Sequence, residues 1–117
     1  MNFNRVILAG FLTRDPELRY TQGGTAIAHF GLAINRKTGS GENKKEEVDF
    51  FDIEVWEKQA ENCQQYLFKG SGVLIEGRLK QERWEDKESG KSRSRVKVVA
   101  SAVQFLPKGQ GQGQNED

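Results

Sequence analysis

Three aromatic side chains, Phe50, Trp56 and Trp84, stand where strand periodicity calls for polar residues. In residues 46–56, Glu-Glu-Val-Asp-Phe-Phe-Asp-Ile-Glu-Val-Trp, a period of two puts Phe51, Ile53 and Val55 on one face. Phe50, Asp52, Glu54 and Trp56 fall on the other, and Val48 falls in phase with Phe50, which predicts a register slip or bulge near Asp49. Trp84 closes a second alternating run, in phase with Glu76, Arg78, Lys80 and Glu82. Large rings on a polar face need a partner, either another subunit or a flat ligand such as a nucleobase. Bases stack on aromatic faces whatever their identity, at roughly 1–3 kcal/mol per base. Basic residues gather nearby: Arg36, Lys37, Lys44, Lys45, Arg78, Lys80, Arg83, Lys91, Arg93, Arg95 and Lys97 sit in two long hairpins and their strands. They could track a phosphate backbone or be ordinary solvated charges.

Other chemistries find little support. Asp52 and Glu54 have the i, i+2 spacing of a carboxylate pair, but no nucleophile, metal ligand or pocket accompanies them, so cross-strand salt bridging is the expected role. A single cysteine, Cys63, excludes an intrachain disulfide, and with a single histidine, His29, it leaves no Cys/His cluster for zinc. Cys63 reads as a small core residue and His29 as a structural residue with no evident acidic partner. The glycines of 39–41 and 70–72 lack the spacing of a phosphate-binding loop and read as turns. The chain is therefore expected to be no enzyme and to need no cofactor or metal. Its formal charge of +1 combines 18 basic with 17 acidic residues, so electrostatic attraction must come from local patches.

Positioning these residues requires strands. Residues 4–12 alternate as a first strand, Pro16 interrupts, and 17–21 form a short extended piece before the Gln22-Gly23-Gly24 turn. Residues 25–35 put Ala26, Ala28, Phe30, Leu32 and Ile34 on one face, with small residues among those opposite that allow close approach. Residues 36–45 read as a basic hairpin loop. After the central strand, 58–69 carries Ala60, Cys63 and Leu67 at helical spacing with Gly70 as a stop. Residues 73–84 alternate again with Val73, Ile75, Gly77 and Leu79 inward, 86–94 form a charged turn, and 95–106 supply a last strand. Three strands, one helix and two further strands predict an all-β, five-stranded OB-fold, a Greek-key barrel with its helix between strands 3 and 4. Residues 1–107 would form this domain, and 108–117 a disordered Gly/Gln-rich tail. No signal core or membrane-length apolar run is present, so a soluble, cytoplasmic protein with no membrane partner is expected.

The stretches 6–20, 26–36 and 49–56, with Lys58, Ala60-Glu61, Tyr66-Leu67, Lys69-Gly70, 73–79 and Trp84, together resemble the bacterial single-stranded DNA-binding protein (SSB) family over residues 1–106. The resemblance implies a homotetramer, a dimer of dimers, that wraps single-stranded DNA without sequence preference in replication, recombination and repair, in the cytoplasm at the nucleoid. It implies base stacking on Phe50, Trp56 and Trp84 and phosphate contacts from the hairpin cations and Lys58. The chain departs from the family in three places. The loop 36–45 has no aromatic, Glu57 stands where many members carry glycine, and the sequence stops at Asn115-Glu116-Asp117 without the acidic, Pro-Phe-like tip that recruits replication and repair proteins. A tail-less relative and a shortened chain both fit that end. Two other readings use the same residues: a protein-interaction module whose aromatics serve assembly, and an RNA-binding OB-fold.

Overall fold

Alternation sends one phase of each strand into a shared core. In the computed structural model, which describes residues 1–107, the elements are β1 (Val6–Leu12), β2 (Glu17–Tyr20), β3 (Ala26–Thr38), a 3-10 turn (Gly41–Asn43), β4 (Lys45–Trp56), α1 (Glu57–Tyr66), β5 (Gly72–Glu85) and β6 (Ser92–Phe105). The expected tail, 108–117, lies outside the described residues. Ala26, Ala28, Phe30 and Leu32 of β3, Ile53 and Val55 of β4, Val73 and Ile75 of β5 and Val98 of β6 are all buried, as their phase requires. α1 adds Ala60 and Cys63, and burial pushes the Cys63 thiol up to about 11, which leaves it an inert core residue.

The strands run in the order β1-β5-β6-β4-β3-β2, and a β1–β3 contact at Phe11 and Leu12 closes the five long strands into a barrel. All pairings are antiparallel except β4–β6, a short parallel seam at Ile53 opposite Val98 and Glu54 opposite Val99. This is the OB-fold, with the helix between the third and fourth long strands and the extended piece at 17–21 added as the short strand β2 against β3. No helix among the described residues is long and apolar enough to cross a membrane.

Three local expectations are corrected. No bulge interrupts β4 near Asp49: its register with β3 is continuous from Lys45 to Trp56, because Val48 simply joins Phe50 on the outer face and stays exposed. The irregularity falls instead between Glu76 and Gly77, where β5 pairs with β6. The helix spans Glu57–Tyr66 rather than 58–69. The backbone beyond it is diverted into tertiary bonds: the Lys69 N–H donates to Asp15 Oδ1 (2.8 Å) and the Gly70 N–H to the Leu12 carbonyl (2.8 Å). Leu79 is exposed, because β5 past Gly77 leaves the barrel with β6 as a projecting arm.

Two backbone positions explain particular residue choices. Glu57 has φ of 62°, in the left-handed region where glycine is at home. At Gly77 an added Cβ would collide with the Val99 carbonyl oxygen and lie 2.9 Å from Ala100 Cα, both backbone atoms of β6. Gly77→Ala is therefore expected to destabilise the barrel by about 1–3 kcal/mol, read as a lowered urea midpoint with an unchanged slope.

Candidate nucleic-acid interface

The outer face of the barrel begins with the β3–β4 pairs. Ala33 lies opposite Phe50, Gly31 opposite Asp52, His29 opposite Glu54 and Ile27 opposite Trp56. Small partners leave the Phe50 ring standing clear at 69% exposure, and Trp56 is 38% exposed. The parallel seam carries this face onto β6 and β5, where Arg78 opposes Val99, Lys80 opposes Lys97, Glu82 opposes Arg95 and Trp84 opposes Arg93. Trp84, 48% exposed, thus shares one continuous face with Phe50 and Trp56. Trp56 and Arg78 line a common open groove beside the N-terminal Phe3.

The cations divide by strand phase. Lys37, Arg78, Lys80 and Arg95 lie in phase with the aromatics. Arg95 is held there by its Nε–H bond to Glu82 Oε1 (2.9 Å). Arg36 and Lys45 fall in the opposite phase, and Arg36 is engaged by Glu47 (2.8 Å) and Asp49 (2.9 Å). Arg83 is also on the opposite phase, where its Nη2 donates to Gln81 Oε1 (2.9 Å). Lys44 follows the 3-10 turn, and Lys58 sits in the first turn of α1 beside Glu57 and Glu61, off the sheet face.

Two assignments change. Lys97 is not a surface cation: it is 5% exposed and bonds Glu54 and Glu82, the latter at 2.6 Å. His29 does have an acidic partner, Glu54 Oε1 at 3.2 Å, supplied by the cross-strand register. Glu54, 4% exposed, is thus neutralised across strands, and its Oε2 accepts the Trp56 indole N–H at 2.5 Å. Burial alone would raise the Glu54 pKa, but the bonds from Lys97, Trp56 and His29 outweigh it and hold the group below its ordinary value. Glu82, bonded by Lys97 and Arg95, is lowered to about 2.

One cation escaped the sequence reading. The Thr13 N–H donates to the Gly31 carbonyl (2.9 Å), and a Cβ on Gly31 would meet Thr13 Oγ1 and lie 3.0 Å from Arg14 Nη1. The Arg14 guanidinium therefore rests over Gly31 on the aromatic face. The signal was the row of small outer residues on β3, which let the β1–β2 connection approach. Among the described residues no group of three or more His, Cys, Asp or Glu side chains could hold a metal ion.

A family model described as the single-strand binding protein family matches residues 3–106. The single-stranded DNA-binding protein of Treponema pallidum is 52% identical over 103 residues, covering 88% of this chain and 57% of that protein. That of Halalkalibacterium halodurans is 50% identical over 112 residues, covering 94% and 66%. The chain thus spans less than two thirds of the length of either relative. Among solved structures, a Plasmodium falciparum SSB complex with ssDNA superposes with a TM-score of 0.80 at 23% identity, over 92% of this chain and 97% of that one, a likeness of fold.

Proposed function

The chain belongs to the single-strand binding protein family, and from that membership we propose that it binds single-stranded DNA without sequence preference and catalyses no reaction on it. Bases stack on Phe50, Trp56 and Trp84 while Arg14, Lys37, Arg78, Lys80 and Arg95 neutralise phosphates across the same face. Arg36, Lys44, Lys45, Lys58 and Arg83 meet phosphates where the strand wraps past the edges of that face. The observation that carries this reading is the accessibility of three aromatic rings on one continuous face. The Trp56 N–H is already bonded to Glu54, so this indole offers a base its π-face, which every base can use. Such binding protects transient single strands in replication, recombination and repair, in the cytoplasm at the nucleoid.

Assembly into a homotetramer belongs to the same proposal. β1 pairs with β3 only at Phe11 and Leu12, so residues 6–9 keep one unpaired edge with Ile7 exposed, and a second copy can extend the sheet there.

Trp56 and Trp84 are the two tryptophans, so intrinsic fluorescence tests the proposal directly. Titration with oligothymidine is expected to quench strongly and a duplex of matched length weakly. The five cations of the aromatic face alone predict a slope of log K against log salt of roughly −3.5, steeper where the edge cations also engage. No quenching and no mobility shift with the single strand would overturn the proposal in favour of an interaction module.

A further inference from the structure

We propose that Glu54 is a positioning residue for base stacking: anchored by Lys97 on the neighbouring strand β6, its carboxylate fixes the plane of the Trp56 indole. The inference rests on the single-strand binding reading above and identifies what prepares one of its stacking rings.

Glu54 and Lys97 are the buried charged residues among those described. Burying an ion pair is costly in desolvation, and apolar packing of similar volume would serve barrel stability as well or better. The pair is therefore poorly explained as a core element. Its bonds point to a different use. Glu54 Oε1 takes Lys97 Nζ and His29 Nε2 (3.2 Å), leaving Oε2 for the Trp56 N–H (2.5 Å). The carboxylate is held from behind and presents one oxygen to the indole edge. A tryptophan ring on a strand has two side-chain torsions, and a bond at its one polar atom removes freedom that base stacking would otherwise have to remove. The chain of bonds continues from Lys97 to Glu82 Oε2 (2.6 Å) and from Glu82 Oε1 to Arg95 Nε (2.9 Å). One connected network across β4, β6 and β5 thus orients a stacking ring and a phosphate-facing guanidinium together.

The test uses the full chain with Trp84→Phe as parent, so that Trp56 is the sole tryptophan and can be excited apart from the tyrosines. Glu54→Val and Lys97→Met are introduced together, which removes both charges and leaves neither buried alone. Thermal midpoint, time-resolved anisotropy of Trp56 without DNA, and affinity for labelled oligothymidine are compared with the parent. The expected result is a retained or raised midpoint, faster and wider Trp56 motion, an affinity loss of about tenfold and an unchanged salt slope. With Trp56→Phe, which has no N–H to fix, the same pair of substitutions is expected to change affinity by less than about twofold, because no bond to the ring is left to lose. Unchanged Trp56 motion, unchanged affinity, or an equal loss in the Trp56→Phe background overturns the positioning role.

If the double variant does not fold, Glu54→Gln and Glu54→Leu decide the same point, since glutamine keeps an acceptor for the indole and leucine has none. Affinity near the parent's with glutamine and about tenfold weaker with leucine supports positioning, and equal affinities overturn it. A parent that fails to bind oligothymidine overturns the DNA-binding proposal instead, and the anisotropy comparison, which needs no DNA, still decides whether Glu54 fixes the ring.

Discussion

Replacing Phe50 and Trp84 together with alanine is expected to weaken oligothymidine binding by about 2–6 kcal/mol, roughly 30-fold to 10⁴-fold, with fold and assembly intact. The two rings lie on different hairpins, one opposite Ala33 on β4 and the other opposite Arg93 on the projecting arm, so their contributions should add. Neither belongs to the buried core, so the alanines remove exposed rings and leave the thermal midpoint nearly unchanged. Trp84→Ala alone should account for about 1–3 kcal/mol of the loss. Trp56 remains as reporter, and matched-salt titrations beside sedimentation of the free proteins check both halves of the expectation. Affinity equal to the parent's would remove the rings from the binding mechanism.

The second large effect is on stability. Lys97→Met leaves the Glu54 carboxylate buried with only the indole and the imidazole as partners, and breaking a buried pair in this way costs about 3–5 kcal/mol. Against a usual total of about 5–15 kcal/mol, urea unfolding should register it plainly. Adding Glu54→Val should recover the loss in full, because both charges are then gone.

Acidity gives an independent check. Glu82, bonded by Lys97 and Arg95, is lowered from 4.5 to about 2, and Glu54 is also lowered, against its burial. Groups with depressed folded pKa stabilise fully above their unfolded value and lose that contribution as pH falls through the folded one. Lys97 has the opposite sign. Burial lowers its pKa, the carboxylates of Glu54 and Glu82 raise it further, and the net upward shift gives stabilisation below 10.5 that is lost as pH rises through the folded value. Stability should therefore be flat from about pH 5 to pH 10 and fall on both sides. In the Glu54→Val/Lys97→Met protein both falls should be shallower.

Much of this is legible in the amino-acid sequence. Strand alternation identified the face shared by Phe50 and Trp56 and the phase of Trp84, because a period of two needs no tertiary information. The order of elements led to the barrel for the same reason. Depth was not legible: Glu54 and Asp52 have the same phase, yet only Glu54 sits where β6 runs alongside and supplies Lys97. The His29–Glu54 contact depends on the register of β3 against β4, which the intervening loop sets. Arg14 depends on how the chain turns after β1, and the end of α1 on bonds from Lys69 and Gly70 to residues more than fifty positions earlier. Leu79 shows the reverse limit, an apolar residue in correct phase carried beyond the core by an arm longer than the barrel.

The way β1 is paired also governs how the chain comes together. Both aromatic-bearing hairpins, β3–β4 and β5–β6, join neighbours in sequence, whereas Val6 must find Gly77. Contacts of that span are made late and slowly, since the entropy of a long loop is lost before the contact repays it. On a ribosome the delay has a duration: about 65 residues separate the end of β1 from Gly77, the last residue it pairs with on β5, or about 3–13 s at 5–20 residues per second. Throughout that interval Val6 and Leu8 lack the strand they pair with, and the barrel itself stays open until β6 joins β5.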